Sequence, residues 1–243
     1  MPHELWITRL FNSLFAGPAN AFLNAIHFPA QDPNYPWSDW MVCEILVVLF
    51  VLIFFGILRS RLSVERPGKI QHCLELTYEF VYAQAEEVVG HGGGKYVGLF
   101  GTIFLFILLM NLIGLIPGFD SPTMYPMVPL GMAVSVFFFY HATGIREHSF
   151  GYIKQFIGPM LFIAPLMFLI EIISHFARPL SLTVRLWANM FAGEKVYLTF
   201  IGLTKLLIPV AFIGLHLFVS FLQAYIFMVL AMVYVGGAVS HEH

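Results

Sequence analysis

The chain has 243 residues, of which 59% are hydrophobic and 11% charged, and its formal net charge is −2. Soluble domains average about 25% charged residues, so this composition excludes an ordinary soluble globular protein and indicates an all-α, polytopic membrane protein. The near-neutral charge gives no support for nucleic-acid binding, and two cysteines, Cys43 and Cys73, are too few and too far apart for a disulfide framework or a zinc site.

The first forty residues are mixed in character and contain no long apolar run. They predict an outer or interfacial N-terminal segment, residues 1–40, ahead of a single membrane domain, residues 41–243. Residues 11–28 could form an amphipathic helix that lies in the membrane interface. Trp37 and Trp40 are typical of an aromatic anchor at the membrane surface.

The first predicted span covers residues 41–58, and an amphipathic cytoplasmic surface helix is predicted at residues 70–89. Four glutamates keep this second helix out of the hydrocarbon core. Basic residues are enriched in cytoplasmic loops, and four of them fall within about eleven positions after the first span. The N-terminus is therefore expected outside. The four basic residues are Arg59, Arg61, Arg66 and Lys69.

Two more spans are predicted at residues 96–116 and 125–142. The loop between them, residues 117–124, has no Lys or Arg and is expected outside. The segment after the third span, residues 143–155, is expected to be a cytoplasmic loop because it carries Arg146 and Lys154. This orientation agrees with an outer N-terminus.

The last part of the chain contains two apolar segments that are too long to stand upright, residues 156–203 and 208–239. As helices they would measure about 70 Å and about 48 Å, whereas the hydrocarbon core is about 30 Å thick. They predict a long slanted helical hairpin, which brings the number of membrane-embedded helices to about five. Each segment must tilt, bend or break, and prolines offer possible bend points at Pro159, Pro165 and Pro179.

Polar residues are concentrated in the first helix of this hairpin. A charge at the bilayer centre costs roughly 2.5–3.5 kcal/mol, so a cluster of them indicates ion or proton handling. Glu171, Arg178 and Arg185 are spaced by seven and share a helical face, whereas Glu194 lies about half a turn away from Arg185. A polar loop is the alternative, but no turn-forming cluster interrupts the segment. The other polar members are His175, Ser181 and Asn189. A satisfied structural histidine, rather than a proton relay, is the favoured interpretation of His175.

The second helix of the hairpin carries His216, Ser220 and Gln223, and the first and last of these share a face because they are seven apart. An intramembrane hydrolase could use a Ser and a His, but no nucleophile motif surrounds Ser220. A secondary ion-coupled transporter is the main alternative function. It would usually show inverted repeats, and none is visible.

These residues carry a family resemblance. The segment ARPLSLTVRLWANMFAGE, the later His and Gln seven apart, and MNLIGLIPG at the end of the second span together resemble subunit a of the bacterial F-type ATP synthase. The resemblance implies a proton-channel stator of the FO sector, whose slanted helices lie against a ring of c subunits. Protons would reach a ring carboxylate by one half-channel and leave by another.

The resemblance also implies the roles of individual residues. Arg185 matches the family's essential arginine between the half-channels, and Arg178 matches a basic position near the cytoplasmic end. Glu171 and Ser174 match the inner half-channel. The outer half-channel is matched by Asn111, Asn189, Glu194, His216 and Gln223.

The implied partners are the c-subunit ring, the b subunits of the peripheral stalk, the remaining F-type ATP synthase subunits and the lipid bilayer, with protons as the transported ion. No cofactor, metal or catalytic chemistry of its own is expected. The chain is expected in the bacterial inner membrane, with the N-terminus outside and the C-terminus cytoplasmic. The final SHEH could bind a metal, but a solvated tail is the favoured interpretation.

One position departs from part of the family. Some members carry Asp three residues after the position of Asn111, where this chain has Gly114. The second span therefore offers no relay carboxylate at that point. Asp120 could substitute from the following loop, although a solvated turn residue is the favoured interpretation.

Overall fold

The computed structural model describes residues 5–25, 27, 32–63, 67–90, 92–116, 118–148, 164–203 and 207–239. These residues form α-helices joined by turns, and no strand occurs among them. Two short 3₁₀ turns, Gly93–Tyr96 and Pro122–Met124, flank the fourth helix. The helices are α1 (Trp6–Ala25), α2 (Asp39–Arg59), α3 (Lys69–Val89), α4 (Val97–Ile113), α5 (Met127–His148), α6 (Ala164–Leu203) and α7 (Leu207–Val239).

Five helical segments are long and apolar enough to cross a membrane, which confirms the predicted fold class. They are Asp39–Arg59, Gly93–Ile113, Met127–Glu147, Pro165–Phe200 and Val210–Val239. The α3 helix is not among them because its apolar residues alternate with glutamates around the helix.

The predicted loop 143–155 is wrong in its first part. The α5 helix begins at Met127 and continues to His148, six residues past the predicted end of the span. Residues 143–148 contain no proline, and the Thr143 hydroxyl donates to the Phe139 carbonyl at 2.8 Å within the helix. Polar side chains extend a helix past an apolar span without ending it, so hydropathy alone placed the boundary too early.

Some predicted features lie outside the described residues. They are the start of the hairpin at residue 156, the bend point at Pro159, the basic positions Arg66 and Lys154, and the terminal residues 240–243.

Both helices of the predicted hairpin are longer than the hydrocarbon core of a membrane is thick, which is about 30 Å. At 1.5 Å per residue, the 40-residue α6 is about 60 Å long and the 33-residue α7 about 50 Å. Helix α6 runs without interruption through Pro179, whose carbonyl accepts a hydrogen bond from the Thr183 hydroxyl at 2.7 Å. Pro165 is the second residue of α6, where a missing N–H leaves no intrahelical hydrogen bond unmade. A break at Pro179 is therefore excluded.

Helix α7 lies at the centre of the fold, in contact with α3, α4, α5 and α6. Its buried methionines pack with large side chains from the surrounding helices. The surface helix α3 is fixed to α7 by the Tyr225 hydroxyl, which donates to Gln84 Oε1 at 2.9 Å. This packing holds α4, α5 and α6 at defined positions around one helix. The core side chains include Phe100, Ile107, Met110, Leu186, Met190, Met228 and Met232.

Candidate functional site

Arg185 lies near the midpoint of the apolar segment Pro165–Phe200 and is exposed on the surface of the fold, as is Asn189 one turn later. Among the described residues its hydrogen bonding is limited to Ser181 Oγ at 3.5 Å, and it forms no ion pair with them. The opposite side of α6 packs into the core through Leu182, Leu186 and Met190. The structure therefore presents a guanidinium outward, near the middle of an apolar helix long enough to cross a membrane.

Glu194 and His216 lie on the buried side of the α6–α7 contact. Their exposed fractions are 8% and 7%. A side chain at Gly193 would bring its Cβ within 3.0 Å of His216 Nδ1, so the absence of that side chain lets the imidazole approach the α6 backbone beside Glu194. The structure thus brings together two of the residues predicted for the outer half-channel.

Two buried oxygens near this contact have no hydrogen-bond partner among the described residues, Glu194 Oε2 and Ser220 Oγ. Gln223, which shares the His216 face of α7, is 5% exposed. Leaving a buried polar atom unsatisfied costs about 1–3 kcal/mol, and native proteins usually meet such atoms with ordered water or a ligand. These atoms fit a polar path better than a packed apolar core.

Asn111 is fully buried and hydrogen-bonded at the junction of α4, α7 and the loop after α4. Its amide donates to the Ser220 carbonyl at 3.2 Å, and its Oδ1 accepts from the Thr123 hydroxyl at 2.7 Å. Ser121 Oγ lies 2.8 Å from the Thr123 hydroxyl and donates to the Met110 carbonyl. Asn111 therefore connects α4 to α7 and to the loop after α4. Its place in a proton path stays a prediction.

The close approach of the loop to α4 also explains why a glycine suits position 114. A Cβ there would lie 2.8 Å from Ser121 Cβ and 3.0 Å from Ser121 N. The first of these contacts is shorter than real Cβ atoms adopt and the second is tight, so an aspartate at this position requires the loop to move.

Asp120 is half-buried rather than fully solvated, and the Tyr125 hydroxyl donates to its Oδ2 at 3.4 Å. Burial, followed by the Asp39 carboxylate, raises the pKa of Asp120, while Tyr125 and Lys195 act in the opposite direction. Burial raises the pKa of Tyr125 itself to about 12. Asp39, Trp40 and Tyr125 line a cavity of about 280 Å³. Because Lys195 belongs to α6, the Asp120 carboxylate lies within electrostatic reach of that helix. Its role as a replacement for an aspartate at position 114 stays a prediction.

A second polar cluster joins α5 and α6 on the other side of Arg185. Glu171 Oε1 lies 3.2 Å from His175 Nε2, and His175 Nδ1 lies 2.7 Å from the Tyr140 hydroxyl. The Arg178 guanidinium lies over the Tyr140 ring at 5.9 Å and over the Tyr234 ring at 5.2 Å. Ser174 is partly exposed on the same stretch of α6.

Sequence reasoning missed the α5 side of this cluster. Tyr140 is 1% exposed, and the His141 ring centroid lies 4.9 Å from that of His175. The signal was present, because Tyr140 and His141 are adjacent polar residues near the end of an apolar span. Nothing in the sequence indicated which helix they would face.

The amino-acid sequence matches a known protein family over most of its length. The family model described as ATP synthase A chain matches residues 41–236. A protein named ATP synthase subunit a from Solibacter usitatus is 52% identical over 235 residues, covering 96% of this chain and all of the relative.

This chain belongs to the ATP synthase A chain family.

Two further members of the family extend the match. A protein named ATP synthase subunit a from Koribacter versatilis is 50% identical over the full length of both chains. One of the same name from Geotalea uraniireducens is 41% identical and covers 91% of this chain and 94% of its own. Membership in the ATP synthase A chain family confirms the resemblance and leaves no observation in favour of a secondary transporter or an intramembrane hydrolase.

Proposed function

We propose that the chain is the proton-channel stator of the FO sector of an ATP synthase. It provides one half-channel from the outer side and one to the cytoplasm, both ending at the carboxylates of a c-subunit ring, with Arg185 between them. This proposal extends the family membership, since the names of the relatives state only that they are ATP synthase subunits.

The exposed guanidinium of Arg185 carries the proposal. Charged groups inside membranes almost always face a protein interior, line a water-filled path or pair with another charge. Arg185 does not face the interior of this chain and has no carboxylate partner among the described residues. A ring of subunits with membrane-embedded carboxylates would supply that partner and cover the exposed face of α6.

The two polar clusters support separate paths on either side of Arg185. We assign the outer half-channel to Asn111, Asn189, Glu194, His216 and Gln223. Glu194 and His216 are buried at the α6–α7 contact, and Glu194 Oε2 has no hydrogen-bond partner among the described residues. We assign the inner half-channel to Glu171 and Ser174. The two glutamates are 23 positions apart on α6, about 35 Å along the helix. This separation is comparable to the hydrocarbon thickness.

The other proposed partners are the b subunits of the peripheral stalk, the remaining F-type ATP synthase subunits and the bilayer. We propose the bacterial inner membrane as the location, with the N-terminus outside and the C-terminus cytoplasmic, on the basis of the basic loops. The first forty residues form the outer segment of this arrangement, and α3 lies on the cytoplasmic surface.

A photo-crosslinking amino acid in place of Ala192 tests the proposed ring contact. Ala192 is exposed and lies seven residues after Arg185, on nearly the same face of α6. Illumination of native membranes is expected to attach a small two-helix subunit with a membrane-embedded carboxylate. The product is identified by mass spectrometry.

The matched control places the same amino acid at Phe138, which is 66% exposed on α5. This position is expected to give no product with the small subunit. Equal crosslinking from both positions, or none from Ala192 in assembled complexes, would contradict the proposed orientation of α6 toward the ring.

The native cysteines test the proposed orientation of the chain in the membrane. Cys73 is exposed on α3 and Cys43 is buried. A membrane-impermeant maleimide is expected to label Cys73 in inverted vesicles but not in intact cells. Cys73→Ser is the control that should remove the label, and labelling of Cys73 from outside intact cells would show the orientation to be reversed.

A further inference from the structure

Glu171, His175 and Tyr140 form a chain of groups within hydrogen-bonding distance of one another, and the family resemblance assigned only Glu171 among them. The imidazole lies between a carboxylate oxygen at 3.2 Å and a phenol oxygen at 2.7 Å, and both of its nitrogens are engaged. His175 is 8% exposed, whereas the Glu171 side chain is 33% exposed. The chain therefore runs from a partly exposed carboxylate to a buried hydroxyl.

This chain can gain or lose one proton without losing a hydrogen bond. With Glu171 ionised, Nε2–H of neutral His175 donates to the carboxylate and the Tyr140 hydroxyl donates to Nδ1. An added proton forms an N–H bond at Nδ1, and the Tyr140 oxygen then accepts from it. Moving the Nε2 proton to Glu171 Oε1 breaks that N–H bond, forms an O–H bond and neutralises both groups.

The surroundings of His175 disfavour a proton that stays on the imidazole. Besides the two partners of His175, the groups around this cluster include Arg178 on α6, His141 on α5, whose ring lies near that of His175, and Tyr234 on α7, which contacts Arg178 and Tyr140. The positive charge of Arg178 disfavours a lasting imidazolium. The added proton is therefore held on Glu171 or released, and the imidazole serves as a temporary carrier.

We propose that His175 is a proton-transfer residue of the inner half-channel that shares one exchangeable proton with Glu171, and that Tyr140 adapts its hydroxyl to both protonation states. This inference rests on the proposed function, because it concerns protons that cross the membrane sector. It adds His175 on α6 and Tyr140 on α5 to the residues that the resemblance implied for the inner half-channel.

His175→Gln tests the proposal, since the amide can hydrogen-bond to Glu171 but cannot carry a proton. The measurement is passive proton flux through reconstituted complexes stripped of the soluble ATPase head, at a series of cytoplasmic-side pH values. We expect the flux to fall about tenfold, less than the roughly 10²–10⁴-fold contribution of a positioned acid–base group, because Glu171 is still present. We also expect its pH dependence to flatten. Tyr140→Phe, which keeps the ring, should give a smaller loss.

The matched control is His72→Gln on the exposed surface of α3, which should leave the flux unchanged. Equal flux and equal pH dependence in the His175→Gln and His72→Gln complexes would overturn the proposal. A uniform loss with an unchanged pH profile would also overturn it, because that pattern indicates a structural role. Failure of the unaltered complex to conduct protons would contradict the proposed function itself.

Discussion

Arg185→Ala is expected to abolish ATP-driven proton pumping and ATP synthesis while allowing a passive proton leak through the membrane sector. Two half-channels that end at one rotor surface need a barrier between them. Without it, a ring carboxylate could carry a proton from one path to the other without rotation. A fixed positive charge is such a barrier, because a proton that approaches it meets like charge in a medium of low dielectric constant.

Arginine suits this position better than lysine. A guanidinium keeps its proton even when poorly solvated, whereas a lysine ammonium can lose its proton in such a place. Arg185 can therefore attract an ionised ring carboxylate and favour proton release from it without passing a proton itself. Its exposure and its weak contact with Ser181 leave the guanidinium open to a temporary partner. Arg185→Lys is expected to fail for the same reasons.

The decisive measurement is proton flux through vesicles before and after the soluble head is removed and restored. Arg59→Ala is the matched control, because Arg59 is an exposed arginine at the end of α2 and should tolerate the change. If Arg185→Ala vesicles with a restored head still pump during ATP hydrolysis, the proposed mechanism is wrong. The amount of assembled complex is measured in every sample.

The sequence predicted the helices and the faces of α6 because both depend on local spacing. The nine-residue separation of Arg185 and Glu194 placed them about half a turn apart, and the structure has the first exposed and the second buried. Hydropathy identified the spans for the same reason. It failed at the end of α5, where polar residues continue the helix beyond the apolar segment.

Contacts between distant parts of the chain could not be predicted in the same way. Tyr140 and His175 are 35 positions apart, and their hydrogen bond depends on how α5 and α6 rotate against each other. The approach of Ser121 to Gly114 likewise depends on the path of a loop. A single sequence indicates the polarity of each helix face, but it does not indicate which polar faces pack against each other.

Glu194→Gln and His216→Ala are each expected to slow proton translocation by about a hundredfold while the complex still assembles. This loss is at the low end of what a positioned acid–base group contributes. Glu194→Gln keeps the size of the side chain and removes its ability to bind a proton. A histidine beside a carboxylate is suited to proton transfer, since an unperturbed imidazole titrates near pH 6.5.

The controls separate proton transfer from packing. Glu87→Gln and His72→Ala make the same changes on α3, where both side chains are exposed, and should leave the rate unaltered. If Glu194 and His216 act in series on one path, the double variant should be little slower than the slower single variant, because removing one step already blocks the path. Multiplied losses would instead indicate that the two residues contribute independently to the same rate-limiting step. Normal pumping in both single variants would make these residues packing contacts of the α6–α7 interface and remove the outer half-channel from this part of the molecule.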